Sequence, residues 1–293
     1  MLAVLSLVAA PDALLNAAHL RALALDPAEA GVLSPGRAFE LILDAAQAER
    51  HWPAWRAALA PERIDVNVVP ADARRKRLVL CDMDSTIIQQ ECLDELADFA
   101  GLKAQVAAIT QQAMNGEIDF AEALSNRVSL LKDMPVDRLE RVWNERISLT
   151  PGARTLIQTM TRDGAHAVLV SGGFTFFTQR VARACGFHEH EANVLEVSDG
   201  VLTGRVVPPI RASAAKLAKL EALRTRRKLD ARATMAIGDG ANDLPMLQAA
   251  GLGVAYHGHA RVNAGCPVQV RHGDLRTALY LQGYGDDEII EVG

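Results

Sequence analysis

The chain is poor in aromatic residues, which make up 4% of 293 positions. Those it has form no stacking pattern, which argues against a single-stranded nucleic-acid surface. It also lacks an excess of positive charge: 31 Lys and Arg against 36 Asp and Glu leave a net charge of -5. Nothing electrostatic therefore favours nucleic acid or an anionic membrane, and a phosphate-bearing ligand needs a local site. Cysteine is scarce as well. Cys81, Cys92, Cys185 and Cys266 fall at no metal-ligand spacing. They make no disulfide framework and suit a reducing cytoplasm as small buried hydrophobes. A run of about 20 apolar residues is missing, so no membrane span is expected. The apolar start mimics a targeting signal but lacks a positive leading segment and breaks at Pro11; we read it as a first β-strand. Internal repeats and low-complexity segments are absent too. What remains is ordinary globular composition, 49% hydrophobic and 23% charged, long enough for about two domains in a cytoplasmic protein.

Residues 1–70 read as a small α/β domain. Apolar strand candidates lie at 2–8, 38–43 and 64–69, with helical spacing at 13–25 and 46–59. Pro70 and the charged run 71–77 then break the pattern, and we read that run as a solvated linker. From Leu78 onward apolar runs at 78–81, 166–170, 234–237 and 253–255 alternate with helical segments. Such runs suit strands buried on both faces, and their alternation with helices predicts a mostly parallel, Rossmann-like sheet. One helix is well punctuated: Thr150 as N-cap, Pro151 in the first turn, Leu156, Ile157 and Met160 on one face, Gly164 after the end. Between Glu91 and Ser148 only helical spacing occurs, broken at Asn115 and Gly116. We read about 89–149 as a helical cap inserted after the first core strand. The acidic end, 285–293, reads as a loose tail.

Three core strands end in polar residues: Asp82-Met83-Asp84-Ser85-Thr86, then Ser171-Gly172-Gly173, then Gly238-Asp239-Gly240-Ala241-Asn242-Asp243. Ligands bind beyond the carboxyl ends of strands in open α/β sheets. Any one of these aspartates alone reads as a turn or capping acid. Three converging, Asp82, Asp84 and Asp239, are costly without a cation, and all-oxygen ligation suits Mg2+. The Ser171 hydroxyl and the amides after it would meet an anion at a helix N-terminus. Lys216, in a helix with several basic residues, gains weight because a phosphate beside carboxylates needs a positive side chain.

In this order, Asp82 to Thr86, Ser171 to Gly173, Lys216 and Gly238 to Asp243 resemble the four motifs of the haloacid dehalogenase superfamily. Glu91, the run Asn126 to Leu131 and the run Ser171 to Phe174 resemble the phosphoserine phosphatase family within it. The resemblance covers about residues 77–280 and departs from the family pattern at Met83, where phenylalanine is usual. It implies Mg2+-dependent hydrolysis of O-phospho-L-serine, the last step of serine biosynthesis. Asp82 is then the nucleophile and Asp84 the general acid and base. Asp82, the Asp84 backbone carbonyl and Asp239 would hold Mg2+, and Asp243 would support the metal or cap a helix. Ser171, Gly172, Lys216 and Asn242 would hold the phosphoryl oxygens. Arg127 suits the substrate carboxylate and Glu91 its ammonium, while Phe120 and Met114 shape an apolar lid.

The first 70 residues weakly resemble the regulatory ACT-type modules that some bacterial members carry, one strand short. A small-molecule substrate is the expected partner, without nucleic acid or membrane, and a homodimer is compatible with the sequence. The nearest rival is a phosphatase or phosphotransferase of the same superfamily acting on another small metabolite. A serine-binding regulator with a decayed core is a rival of another class, opposed by the intact Asp82, Asp84, Lys216 and Asp239.

Overall fold

The computed structural model describes residues 1–115 and 117–292. The chain forms two sheets. The first is built from β1 (Leu2–Ala9), α1 (Ala17–Ala22), β2 (Gly31–Ser34), β3 (Ala38–Asp44), α2 (Ala45–Leu59) and β4 (Ile64–Pro70), with strand order β2-β3-β1-β4. All its pairings are antiparallel.

Strand β1 is buried on both faces, which is why its sequence looks like a targeting segment. Leu5, Leu7 and Ala9 pack with Trp55 and Leu59 of α2. Val4 and Val8, on the alternate face, join the cluster that holds Tyr280 and Leu281 of the second unit. Helix α1 is shorter than the expected 13–25 because Asn16 caps it, its side chain accepting the Ala18 N–H at 2.9 Å.

The second sheet has order β11-β10-β9-β5-β6-β7-β8. Its strands are β5 (Leu78–Cys81), β6 (His166–Phe174), β7 (Glu189–Ser198), β8 (Val201–Val207), β9 (Thr234–Gly238), β10 (Leu252–Tyr256) and β11 (Gln269–Val270). Every pairing is parallel except β7 with β8. In β5 the period of two divides the burial. Val79 and Cys81 pack with Leu156, Ile157 and Met160 of α7 (Ala153–Arg162) and with Phe177 of α8 (Thr175–Cys185). Leu78 and Leu80 pack with Leu220 and Leu223 of α9 (Ser213–Arg226) and Met246 and Leu247 of α10 (Leu244–Ala249). Each fully buried side chain of this kind contributes about 1.5–3 kcal/mol. Strand β5 has β6 on one side and β9 on the other, so the chain reverses its direction of growth there and the strand tips open a crevice.

Among the described residues, four helices lie between 89 and 149: α3 (Cys92–Phe99), α4 (Lys103–Met114), α5 (Phe120–Ser129) and α6 (Asp137–Arg146). The chain leaves and returns through an antiparallel bridge between Ile88 and Leu149. That bridge displaces the cap expected at Thr150. The Thr150 N–H donates to the Ile87 carbonyl at 2.9 Å, Gly152 turns left-handed at φ +81°, and the helix starts at Ala153.

The run 71–77 lies largely at the surface, with Asp72, Ala73, Arg75 and Arg77 exposed, but both it and the tail are anchored. Arg74 pairs with Glu40, Arg75 with Glu288, and the Lys76 ammonium donates to the carbonyls of Ala73 and Arg232. Tyr284 and Ile289 are buried, and the Ile290 N–H donates to Thr159 Oγ1. Charges remote in sequence find partners here, so the segments lie down on the core. Gly293 lies outside the described residues.

The two sheets meet through β4. Asp65 accepts the backbone N–H groups of Arg271, His272 and Gly273. The Asn67 amide exchanges two bonds with the Gln269 backbone, at 2.8 and 2.9 Å. Both residues are buried, so removing either acceptor strands N–H groups without water. We expect Asp65→Ala to destabilise the protein by about 2–4 kcal/mol, read as a lower thermal midpoint. An unchanged midpoint would show that the interface carries no stability.

Candidate active site

The tips of β5, β6 and β9 converge on one cavity of about 350 Å³. Asp82 follows β5 directly and keeps its N–H in the ladder, donating to the Ile237 carbonyl at 2.9 Å. Its carboxylate, in a residue 6% exposed, lies 2.7 Å from the Lys216 ammonium. Lys216 reaches in from α9 and also donates to Asp243 at 2.6 Å. Burial alone would lower the Lys216 ammonium, but Asp82 and Asp243 outweigh it and hold its pKa above the ordinary value. Burial pushes the Asp82 carboxyl well up, and Asp243 adds to this while Lys216 opposes it.

Asp239 closes β9. Its carboxyl is pushed up to about 6 by burial and then by Asp243, with the Thr86 hydroxyl, which donates to it at 3.1 Å, working against the rise. Oxygens of Asp82, Asp239 and Asp243 lie within 4.8 Å of one another. Three carboxylates face one ammonium, a donor set that fits a hard divalent cation. Asp243 thus sits in the acidic cluster itself, held by Lys216 and by the Gly240 N–H at 3.0 Å.

Asp84 stands apart from that cluster. One oxygen accepts the Cys92 N–H at 2.8 Å, at the start of α3, and the other accepts the Ser171 hydroxyl at 3.0 Å. Burial raises its pKa, opposed by those two donors. Between Asp82 and α3 the chain makes an irregular turn, with Ser85 left-handed at φ +52°. The Ser85 hydroxyl donates to Glu91 at 2.7 Å. Opposite, the Gly173 N–H donates to Ser171 Oγ at 2.8 Å. A Cβ on Gly173 would stand 2.9 Å from the Asp84 carboxylate, so glycine is what permits the turn to come this close.

Asp82, Asp84, Glu91, Arg127, Ser171, Gly172, Asp239 and Asn242 all line the cavity. Lys216 reaches it from beneath, through Asp82. Arg127 is half-buried on α5, its Nε donating to Ala123 in the same helix at 3.2 Å. Burial lowers its pKa, with Asp94 and Glu91 opposing. Desolvation and then Asp84 push Glu91 up to about 7. Its side chain is open to the cavity, however, and water entering there works against that rise. Phe120 lies over Gly172, its ring 3.1 Å from a Cβ built there. The Met114 side chain lies outside the described residues. The sequence reading passed over Thr86 and Asn193. Thr86 was within reach, lying inside the motif after Asp84. Asn193 is one of several polar residues in β7 and carried no signal.

A family model described as haloacid dehalogenase-like hydrolase matches residues 79–248, the stretch that carries every one of these residues. The chain belongs to this family. As a haloacid dehalogenase-like hydrolase it is 45% identical over 223 residues to a phosphoserine phosphatase of Polaromonas sp., covering 74% of this chain and 94% of that one. Among solved structures it is similar to a hydrolase of the same family from Salmonella enterica serovar Typhi. That match has a TM-score of 0.86 and 28% identity, over 98% of this chain and 99% of that one. It is also similar to a phosphoserine phosphatase solved as a phospho-aspartyl intermediate analogue. There the TM-score is 0.65 and the identity 36%, over 70% of this chain and 98% of that one. Among the described residues, no helix is long and apolar enough to cross a membrane.

Gly173→Ala should push Asp84 and Ser171 off their positions without unfolding the strand. We expect catalytic efficiency on any phosphate ester to fall roughly 10–100-fold, with an almost unchanged thermal midpoint. Full activity would show that the turn has slack the geometry does not suggest.

Proposed function

We propose that this chain hydrolyses O-phospho-L-serine to L-serine and phosphate through an aspartyl-phosphate, the last step of serine biosynthesis. The observation that carries the reading is the division of labour between two neighbouring aspartates. Asp82 is held by Lys216 and belongs to the acidic cluster; Asp84 is hydrogen-bonded elsewhere and biased towards protonation. One is placed as a nucleophile and the other as an acid.

Asp82 attacks phosphorus and forms the acyl phosphate, while Asp84 gives its proton to the departing serine oxygen. Asp84 then takes a proton from water, which attacks the acyl phosphate and frees Asp82. Ser171, the Gly172 amide and Asn242 hold phosphoryl oxygens, and Lys216 offsets their charge. Asp82, the Asp84 backbone carbonyl and Asp239 would hold Mg2+, with Asp243 drawn into the same cluster. When bound, the ion neutralises phosphoryl charge.

Helices α3 to α6, about 89–149, act in this reading as a cap that reads the amino acid. Arg127 takes the carboxylate and Glu91 the ammonium, both from the cavity wall. Residues 1–70 form a separate ACT-like module, joined by 71–77 to the catalytic unit 78–293. The support for that label is the strand order β2-β3-β1-β4 with a helix after β1 and after β3. The strand missing from the sequence reading is β2.

Phosphate release from phosphoserine tests the mechanism. Wild type should turn over with Mg2+ and stop with chelator. Asp82→Asn should abolish turnover with the fold intact, and Asp84→Asn should lose about 10²–10⁴-fold. Near-normal turnover by Asp82→Asn would end this mechanism.

Substrate recognition has its own test. Stripping one partner from a desolvated charge pair costs on the order of 2–5 kcal/mol. Arg127→Ala should therefore sharply weaken phosphoserine hydrolysis and leave an aryl phosphate, which has no carboxylate, almost untouched. Glu91→Gln should do the same through the ammonium. Equal losses on both substrates would return these residues to the fold or the chemistry, and unchanged phosphoserine kinetics would remove phosphoserine as the substrate.

A further inference from the structure

The Ser171–Gly173 turn interrupts the pairing of β6 with β7. Val170 pairs with Glu191 and Phe174 pairs with Asn193, so three residues on β6 stand opposite Ala192 alone on β7. The surplus bows out of the sheet into the cavity, as a bulge does beside many active sites. A backbone bowed out of its ladder needs other partners for its buried polar groups.

Asn193 supplies one. It is 0% exposed, and its side-chain amide uses both of its ends. Nδ2 donates to the Gly172 carbonyl at 2.8 Å and to the Arg211 carbonyl at 3.2 Å, and Oδ1 accepts the Arg211 N–H at 2.7 Å. Arg211 lies two residues before α9, the helix that carries Lys216. One buried amide therefore ties the turn that presents Ser171 and Gly172 to the entry of the helix that presents Lys216.

We propose that Asn193 is a positioning residue for the phosphoryl pocket, acting through the Gly172 carbonyl and the Arg211 backbone rather than by touching substrate. The inference rests on the reading that Ser171, Gly172 and Lys216 hold the phosphoryl group. Peptide-plane orientation is the lever. With the Gly172 carbonyl pinned by Asn193, the peptide unit joining Gly172 to Gly173 cannot rotate, which holds the Gly173 N–H on Ser171 Oγ and so fixes the serine hydroxyl at the cavity. Preorganised donors of this kind lose their effect when allowed to reorient. Asn193 bonds only to the Gly172 carbonyl and the Arg211 backbone, not to Glu91 or Arg127, so the effect should fall on phosphate and not on the amino-acid part.

The test uses the full-length protein and aryl phosphate hydrolysis, with inorganic phosphate and L-serine as separate inhibitors. Asn193→Ala removes all three bonds. Asn193→Asp keeps an acceptor for the Arg211 N–H and serves if the alanine variant folds poorly. Inhibition by phosphate should weaken on the order of tenfold in either variant, while inhibition by L-serine stays at the wild-type level. Combining Asn193→Ala with Ser171→Ala should cost clearly less than the two losses multiplied, because both act on one turn. Equal weakening towards phosphate and L-serine, no weakening at all, or fully multiplicative losses would each overturn the proposal. Wild-type turnover of phosphoserine bears on the substrate reading alone, since the aryl phosphate reports the phosphoryl pocket whichever metabolite is natural.

Discussion

The Lys216 ammonium, clamped between Asp82 and Asp243, is the interaction on which the rest of the site depends. Three buried carboxylates at the tips of β5 and β9 would repel one another in a medium that screens poorly. One fixed positive charge makes their convergence tolerable and leaves the cluster short of neutrality by the amount a divalent cation would supply. The consequence for stability has a definite sign. Asp239 is raised from 3.8 to about 6 in the folded state, so its charged form is disfavoured there relative to the unfolded chain. The fold bears that cost in full above about pH 6, and it shrinks as the pH falls from about 6 towards 3.8, where the unfolded carboxyl is protonated as well. Chemistry, not stability, accounts for keeping such a cluster.

The same constraint explains why the site sits at strand ends. Side chains at the tips of β5, β6 and β9 are held by ladders already buried on both faces, so their positions are determined by packing before any ligand arrives. The turns that follow can then be irregular without being loose. Ser85 is left-handed, Gly173 leaves room for Asp84, and Gly240 leaves room for Asn242, whose Oδ1 would lie 2.2 Å from a Cβ there. Backbone exceptions cluster where oxygen atoms must approach one another closely.

How much of this was legible in sequence depended on whether the signal was local. Strands β5, β6, β9 and β10 are continuous apolar runs, and their polar endings lie next to them, so the core and most of the site could be read directly. Strands β7 and β8 could not: Val194, Val197 and Val207 are exposed and the strands alternate, so neither forms an unbroken run. Strand β11 has two residues, too few for any periodicity. The anchoring of the linker and tail was not legible because Arg75 and Glu288 are 213 positions apart, and composition cannot show that two charged segments meet. Asn193 was invisible for a related reason. Its importance comes from what β6 fails to do opposite it, not from its own neighbours in the chain.

The N-terminal sheet, finally, is not an ornament attached to a finished enzyme core. A path of polar contacts, with one covalent step from His257 to His259, leads from β4 to the acidic cluster. Asp65 accepts the Gly273 N–H at 2.9 Å, the Gly273 carbonyl accepts from His257 Nε2 at 2.9 Å, and the His259 N–H donates to the Asp239 carbonyl at 3.1 Å. His257 itself is left-handed, at φ +43°, a conformation that persists only where surrounding bonds impose it. The loop that docks the first sheet, 271–273, therefore braces through His257 the separate turn after β10 that meets Asp239. A carboxylate on β4, in a different sheet from the reacting groups, is thus linked to the backbone of Asp239.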